Sequence, residues 1–320
     1  MKRKWFGLVL LGLGAFLLVV GTLGVVWAPE VVKRTPLDVE QETALEGTVQ
    51  KLDGATGELG PVTPVRVRSV TLADSEASDD EVVVWAQDTC VWMDIDDAPE
   101  CPAPPPGEDA DPRIVTVDTD VFASDRYTGM PVNDEEYFED AIMPDDWLPH
   151  DGLVNKWPFD TEKVDYTYWD GTMGQAVPAV YQGEETLLGI DTYLYHIDIK
   201  DESIEVAKGT PGTYDNHIEI WVEPRTGAIQ QQTQDQQRFL EDGTQVLDLK
   251  IGFTEEQQEQ FADDAKGNLR LLNLITVYLP IIGFVGGTLC VVAGVLLLVR
   301  ARKNDDDSTE ETPERVPASV

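Results

Sequence analysis

The sequence predicts a mainly β domain, an antiparallel sandwich or partly closed barrel with a helical stalk, flanked by two transmembrane α-helices. Three observations lead there. Residues 5–27 and 271–299 are long apolar stretches without a charged residue. Each is long enough as a helix to cross a hydrocarbon core of ~30 Å, which takes ~20 apolar residues. Between them the chain shows a steady series of short runs alternating apolar and polar residues, punctuated by Gly, Pro and Asp, the pattern of an all-β domain.

The organisation follows in order: a basic N-terminus over 1–4, a first span over 5–27, an acidic β-rich domain over 28–253, a helical stalk over 254–270, a second span over 271–299 and a disordered tail over 300–320. Lys2, Arg3 and Lys4 precede the first span, and Arg300, Arg302 and Lys303 follow the second. Lys and Arg beside a span favour the cytoplasmic side, so both termini are expected there and the domain between them outside the plasma membrane. A cleaved leader is the competing reading of the first span. Its apolar region exceeds the ~7–15 residues of a leader, however, and Pro29 would follow directly after the cut at Ala28. Gly7, Gly12, Gly14, Gly21 and Gly24 in the first span, and Gly283, Gly286, Gly287 and Gly294 in the second, are either ordinary glycine content or close packing with a neighbouring helix. Pro280 is expected to bend the second span. Neither span carries an ionisable group for ion or proton transport.

Within the domain, strands are expected near 35–52, 62–72, 82–93, 114–123, 187–199, 217–222, 229–239 and 244–253, with a short helix between 133 and 149. Asp53-Gly54 and Thr56-Gly57 mark a turn. From 255 the residues favour helix, with Thr254 as cap and Gln257 at the capping-box position.

The formal net charge is −37, and between Ala28 and Leu272 there are 54 Asp and Glu against 16 Lys and Arg. Such a domain repels nucleic-acid phosphates and excludes that class of partner. Cys90 and Cys101 predict a disulfide closing a short loop in an oxidising compartment, whereas Cys290 lies in the second span. His150, His196 and His217 are scattered, and no nucleophile elbow, phosphate loop or zinc-protease helix appears. No catalytic residue, metal or cofactor is expected. The acidic clusters Asp94/Asp96/Asp97, Asp118/Asp120 and Asp145/Asp146 lack the spaced carboxylates and central Gly of a calcium loop. The aromatic run from Trp157 to Trp169 is read as core, with the lining of a sugar or lipid groove as the alternative.

Several motifs group together: Lys156-Trp157-Pro158-Phe159-Asp160-Thr161, then Tyr166-x-Tyr168-Trp169-Asp170, then Gly183-Glu184-Glu185-Thr186 with Gly189 and Tyr193. Two turns accompany them, Asp125-Arg126-x-Thr128-Gly129 and Glu223-Pro224-Arg225-Thr226-Gly227. Together they resemble a family of actinobacterial cell-envelope proteins, DUF3068, also labelled porin PorA, over nearly the whole chain. The resemblance implies an envelope protein and, by the label, a pore-forming one. The strands are too acidic and irregular for a lipid-facing barrel of the outer-membrane kind. The expected function is therefore a non-enzymatic, double-anchored envelope protein whose outer domain binds a ligand or scaffolds the envelope. Its partners are membrane lipid through two helices and a second copy or an envelope component. The alternatives are a channel-forming protein and a conduit for lipid or hydrophobic ligands between two spans, a topology like that of CD36.

Overall fold

The computed structural model describes residues 2–103, 111–139, 143, 147–207 and 209–309, and the chain separates into a helical unit (1–33 and 269–320) and a β unit (34–268). Asp145, Asp146 and the tail beyond 309 lie outside the described residues.

In the helical unit, α1 (Lys2–Val26) is followed by a short α2 (Ala28–Val32). The second long helix, α4 (Leu279–Thr309), is preceded by a π-helical turn at Leu274–Tyr278. That turn lies just ahead of Pro280, which has no N–H to donate to the preceding turn. The helix thus continues through Thr309, into the segment expected to be a disordered tail. Two helices are long and apolar enough to cross a membrane. Glycine lets α1 and α4 meet backbone to backbone: a Cβ added at Gly283 would stand 2.5 Å from Gly21 Cα, and one at Gly14 would stand 2.8 Å from Gly287 O. Gly7 lies against Gly294 and Leu298, and Gly24 against Pro280, so the two helices run antiparallel. Gly7, Gly14, Gly21, Gly24, Gly283, Gly287 and Gly294 thus serve helix packing, whereas Gly12 faces open space and Gly286 makes only an ordinary contact with Leu17.

The β unit is one antiparallel sheet curved into a half-barrel. Its strands are β1 (Glu40–Asp53), β2 (Glu58–Leu59), β3 (Thr63–Asp74), β4 (Val82–Met93), β5 (Ile114–Asp125), β6 (Tyr166–Asp170), β7 (Gln175–Leu187), β8 (Ile190–Ala207), β9 (Thr210–Glu223), β10 (Ala228–Leu240) and β11 (Gln245–Phe253). The order is β5-β4-β3-β1-β11-β10-β9-β8-β7-β6, with β2 paired to β1. Two meanders therefore join at the β1–β11 seam, where Leu45 faces Phe253 and Lys51 faces Leu247. The sheet is continuous, so the partly closed barrel is realised and the sandwich is not.

Each expected strand is present, and most boundaries fall within a few residues of expectation. Three differences have physical causes. Strands β6 and β7 were not foreseen: β6 lies within the aromatic run, and Pro178 and Gly183 interrupt the pattern of β7, where a register shift lies between Tyr181 and Gly183. Strands β8 and β9 extend well beyond the alternating region: residues 200–203 of β8 are exposed on both faces, so no burial pattern marks them. The expected short helix is a single 3-10 turn at Glu135–Phe138.

The inner face holds the core. Trp157, Tyr195, Ile197, Tyr214, Ile220 and Val222 pack under β8–β9, and Val49, Val65, Val67, Leu249 and Phe253 pack under β1, β3 and β11. Helix α3 (Glu255–Asn273) begins directly after β11. Thr254 caps it, its hydroxyl accepting from Gln257 N at 3.1 Å. Gln257 does not return the bond to Thr254: its Oε1 accepts from Ala44 N of β1 at 2.9 Å. Phe261 meets Phe253 edge to face at 5.5 Å between ring centres. The start of the predicted stalk is thus docked on the sheet.

Candidate functional site

Four of the family motifs, far apart in sequence, converge, while residues 183–186 of β7 pair with β8. Two acidic turns have the same construction. Asp125 Oδ1 accepts from the N–H of Tyr127 at 3.0 Å and Thr128 at 2.6 Å and from the Thr128 hydroxyl at 2.8 Å, while Gly129 N donates to Asp125 O at 2.9 Å. Glu223 repeats this: its carboxylate accepts from Arg225 N and Thr226 N, both at 2.9 Å, and from the Thr226 hydroxyl, while Gly227 N donates to Glu223 O at 2.9 Å. Asp53–Gly57 and Asp170–Gly174 close with the same bond from the fifth residue to the first, at 2.8 and 2.9 Å.

The segment from Lys156 to Thr161 straps the first two turns together. Phe159 N donates to Tyr127 O at 3.0 Å, Trp157 N to Gly227 O at 2.8 Å and Thr161 N to Pro224 O at 2.7 Å. Pro158 supplies the carbonyl that accepts the Thr161 hydroxyl at 2.7 Å. Tyr127 stacks on Phe159, with ring centres 5.9 Å apart. Arg126 ties the turn to the incoming chain, Nε donating to Thr35 O at 2.7 Å. Lys156 Nζ donates to the Thr35 hydroxyl at 3.0 Å and lies 3.8 Å from the centre of the Phe159 ring. Burial pushes this amine down to about 7, and the Asp125 carboxylate opposes the shift.

Behind the strap, Tyr168 and Tyr195 flank Trp157, with ring centres at 6.2 and 5.4 Å, and Tyr166 meets Tyr195 edge to face. Asp170 is buried and accepts the Tyr214 hydroxyl at 3.0 Å. Burial raises its carboxyl, against the N–H of Met173 and the Tyr214 hydroxyl that stabilise the charged form. Trp169 packs at 4.3 Å on the ring of buried His150, whose Nε2 lies 2.9 Å from Asp120 Oδ2. Trp157, Phe159 and Trp169 are buried as core, Tyr166 and Tyr168 only partly, and Phe159, Tyr168 and Trp169 also line the inner-face trough.

The junction lines one side of a trough of about 1260 Å³ along the inner face of the half-barrel. Neutral hydrogen-bonding groups line it: Thr43 from β1, Ser69 and Thr71 from β3, Gln87 and Thr89 from β4, and Gln230, Gln232 and Gln234 from β10. The last three are two residues apart, so they share one face of the strand. Gln230 Oε1 and Gln257 Nε2 are buried without a hydrogen-bond partner. The carboxylates are Asp38, Glu40 and Glu42 at and just before the start of β1, Asp118 and Asp120 on edge strand β5, and Glu256 and Asp264 on α3, and Lys156 is the one cation among the described lining residues.

Cys90 and Cys101 form a disulfide. Of the histidines, two are not scattered: His196 on β8 and His217 on β9 lie with ring centres 5.2 Å apart. The hairpin register brings them together, since His196 pairs with Glu219 and Asp198 with His217. Locating the β8–β9 turn near Gly209 would have exposed this in the sequence.

Fold and site together define an antiparallel half-barrel with a polar inner trough, in a chain that also carries two membrane-length apolar helices. The family is shown directly: the Porin PorA family model matches residues 6–296, and the chain belongs to that family. No curated protein matches the sequence. Among solved structures, the Aeromonas veronii immune modulator A aligns over 71% of this chain and 99% of its own, at 8% identity and a TM-score of 0.13, too low to indicate a shared fold.

Proposed function

We propose that this protein is a non-enzymatic, double-anchored membrane protein of the cell envelope, whose half-barrel binds a neutral, hydroxyl-rich ligand such as an oligosaccharide. The observation that carries the reading is the trough: in a chain of net charge −37, amides and hydroxyls from β1, β3, β4 and β10 line it, with the carboxylates confined to the start of β1, edge strand β5 and α3. Amides and hydroxyls both donate and accept, which suits a ligand rich in hydroxyl groups. Buried amide atoms without partners gain most from such a ligand, because an unsatisfied buried polar group costs about 1–3 kcal/mol. The volume exceeds that of common small-molecule sites, ~300–1,000 Å³, and leaves room for several sugar rings. The same mixed lining counts against a purely hydrocarbon cargo.

Both termini are placed in the cytoplasm and the β unit outside, on the basic residues at either end. The Cys90–Cys101 disulfide supports an oxidising compartment for the β unit. The family's name, porin, gives the rival reading. The glycine-packed helix pair carries no Asp, Glu, Lys, Arg or His within its apolar spans, so conduction would require several copies to assemble around a pore.

Titration of the full-length protein in detergent micelles with neutral oligosaccharides, followed by tryptophan fluorescence, tests the proposal. Saturable binding that weakens at least tenfold in a Gln232→Ala/Gln234→Ala variant is expected. Equal binding by the variant, or no binding across glucan, galactan and arabinan fragments, overturns it. Stepwise conductance of the purified protein in planar bilayers would favour the channel.

A further inference from the structure

We propose that the outer face of the β8–β9 hairpin carries a divalent transition-metal site, with His196 and His217 supplying imidazole nitrogens and Glu219 a carboxylate oxygen. The inference is independent of the trough, which lies on the other face of the sheet: Tyr195, Ile197, Ile218 and Ile220 point inward between these residues and are buried.

The register builds the site. His217 and Glu219 are two residues apart on β9 and share a face, and His196 stands directly opposite Glu219 on β8. His196 Nε2 is 3.2 Å and His217 Nε2 3.8 Å from Glu219 Oε1, and the three ligating atoms lie within 4.8 Å of one another. Zinc bonds of ~2.0–2.1 Å in a tetrahedron place ligand atoms ~3.3 Å apart. One edge already matches, a second is close, and the third closes by a small swing of His217, whose side chain is 44% exposed. Among the described residues this is the one gathered set of three such groups.

Two further observations point to a ligand. His196 Nε2 is a buried nitrogen without a hydrogen bond, although a carboxylate oxygen stands 3.2 Å away. Simple His–carboxylate pairing would satisfy that atom; a metal between the two would as well. Both neighbouring ligands are also held from behind. Asp198 Oδ1 lies 2.7 Å from His217 Nδ1, which turns Nε2 towards the cluster, and the Thr233 hydroxyl donates to Glu219 Oε2 at 3.2 Å, leaving Oε1 free. A carboxylate behind a ligating imidazole is the usual supporting arrangement at metal sites. Asp235 of β10, the cross-strand partner of His217, is paired with Lys250 at 2.9 Å.

Two imidazoles and one carboxylate select zinc, copper, nickel or cobalt over calcium and magnesium, which prefer all-oxygen shells. Three protein ligands leave a fourth position for water or for a donor from a second molecule.

The test uses full-length protein in detergent micelles, with Zn²⁺ as probe and excess Mg²⁺ present to occupy the diffuse acidic surface. One Zn²⁺ per chain is expected above the Mg²⁺ background. His196→Ala and His217→Ala each weaken it at least tenfold, and Asp198→Asn about tenfold. Wild-type protein gives a second readout that needs no variant. Zn²⁺ shifts the imidazole NMR signals of two histidines and leaves that of buried His150 unmoved. Undiminished Zn²⁺ binding by a His196→Ala/His217→Ala variant, complete displacement by Mg²⁺, or NMR shifts at all three histidines or none overturns the site.

Discussion

Gly227→Ala tests whether the strap and the Glu223–Gly227 turn form one unit. Gly227 has φ +75°, and a Cβ there would stand 1.9 Å from Trp157 O and 2.6 Å from Pro158 O. Gly57 supplies a matched control: it has the same φ of +75° and the same position in its turn, but nothing within 4 Å of an added Cβ. Left-handed backbone costs an L-residue about 1–2 kcal/mol, and Gly57→Ala should cost that alone. Gly227→Ala adds overpacking of about 1–3 kcal/mol and, as the strap moves away, the Trp157 N to Gly227 O bond at about 1 kcal/mol. The total is about 4–5 kcal/mol. For a β unit of this size, ~2–4 °C per kcal/mol gives a melting temperature lower by about 12 °C, against about 4 °C for Gly57→Ala. Thermal unfolding of the full-length protein, followed by near-UV circular dichroism of its tryptophans, measures both. Equal shifts for the two variants would refute the reasoning, because the strap contact is the only difference between the two sites that enters it.

Three further predictions concern the amine, the disulfide and the helix pair. Lys156 has a folded value of about 7 against 10.5 for an ordinary lysine. Between those values the unfolded chain binds the extra proton, so wild-type stability gains with rising pH relative to Lys156→Met, and the gain ends above 10.5. Parallel stability–pH curves for the two proteins would count against a buried amine. Cys90→Ala/Cys101→Ala opens a loop of sequence separation 11 and should cost about 2–3 kcal/mol; dithiothreitol should lower the wild-type melting temperature equally. Gly283→Val forces α1 and α4 apart, whereas Gly12→Val, with open space around it, does not. Spin labels on exposed Val9 and Leu296 should report a longer, broader distance only in the former.

Much of the junction was legible as turns but not as a junction. The pattern of an acidic residue followed four positions later by Gly recurs at Asp53, Asp125, Asp170 and Glu223, and such a turn is local: the carboxylate reaches N–H groups two and three residues ahead. What the pattern does not contain is the strap. Trp157 N and Phe159 N bond to backbone carbonyls of Gly227 and Tyr127, and any residue offers a carbonyl, so no side-chain identity announces the partner. The capping box shows the same limit. Thr254 caps its helix as its sequence requires, yet Gln257 serves β1 instead, because the β1–β11 seam places Ala44 N beside it.

By itself the sequence determined the features that one stretch of chain decides alone. These are the two uncharged spans, the strand positions where one face is buried, the acidic turns and the cysteine loop. Their physical basis is short-range: hydropathy over a helix length, alternation over a strand, and side-chain bonds between residues at most 11 apart. Only the tertiary structure decided which strands became neighbours. The β1–β11 seam bent two meanders into one half-barrel and so assembled the amide-lined trough. The β8–β9 register brought His196 and His217, 21 residues apart in sequence, onto adjacent diagonal positions of one face. Antiparallel packing turned the glycines of two distant segments into one close interface. Each depends on register between segments remote in the chain, which is fixed by the packing of the whole inner face rather than by any local pattern.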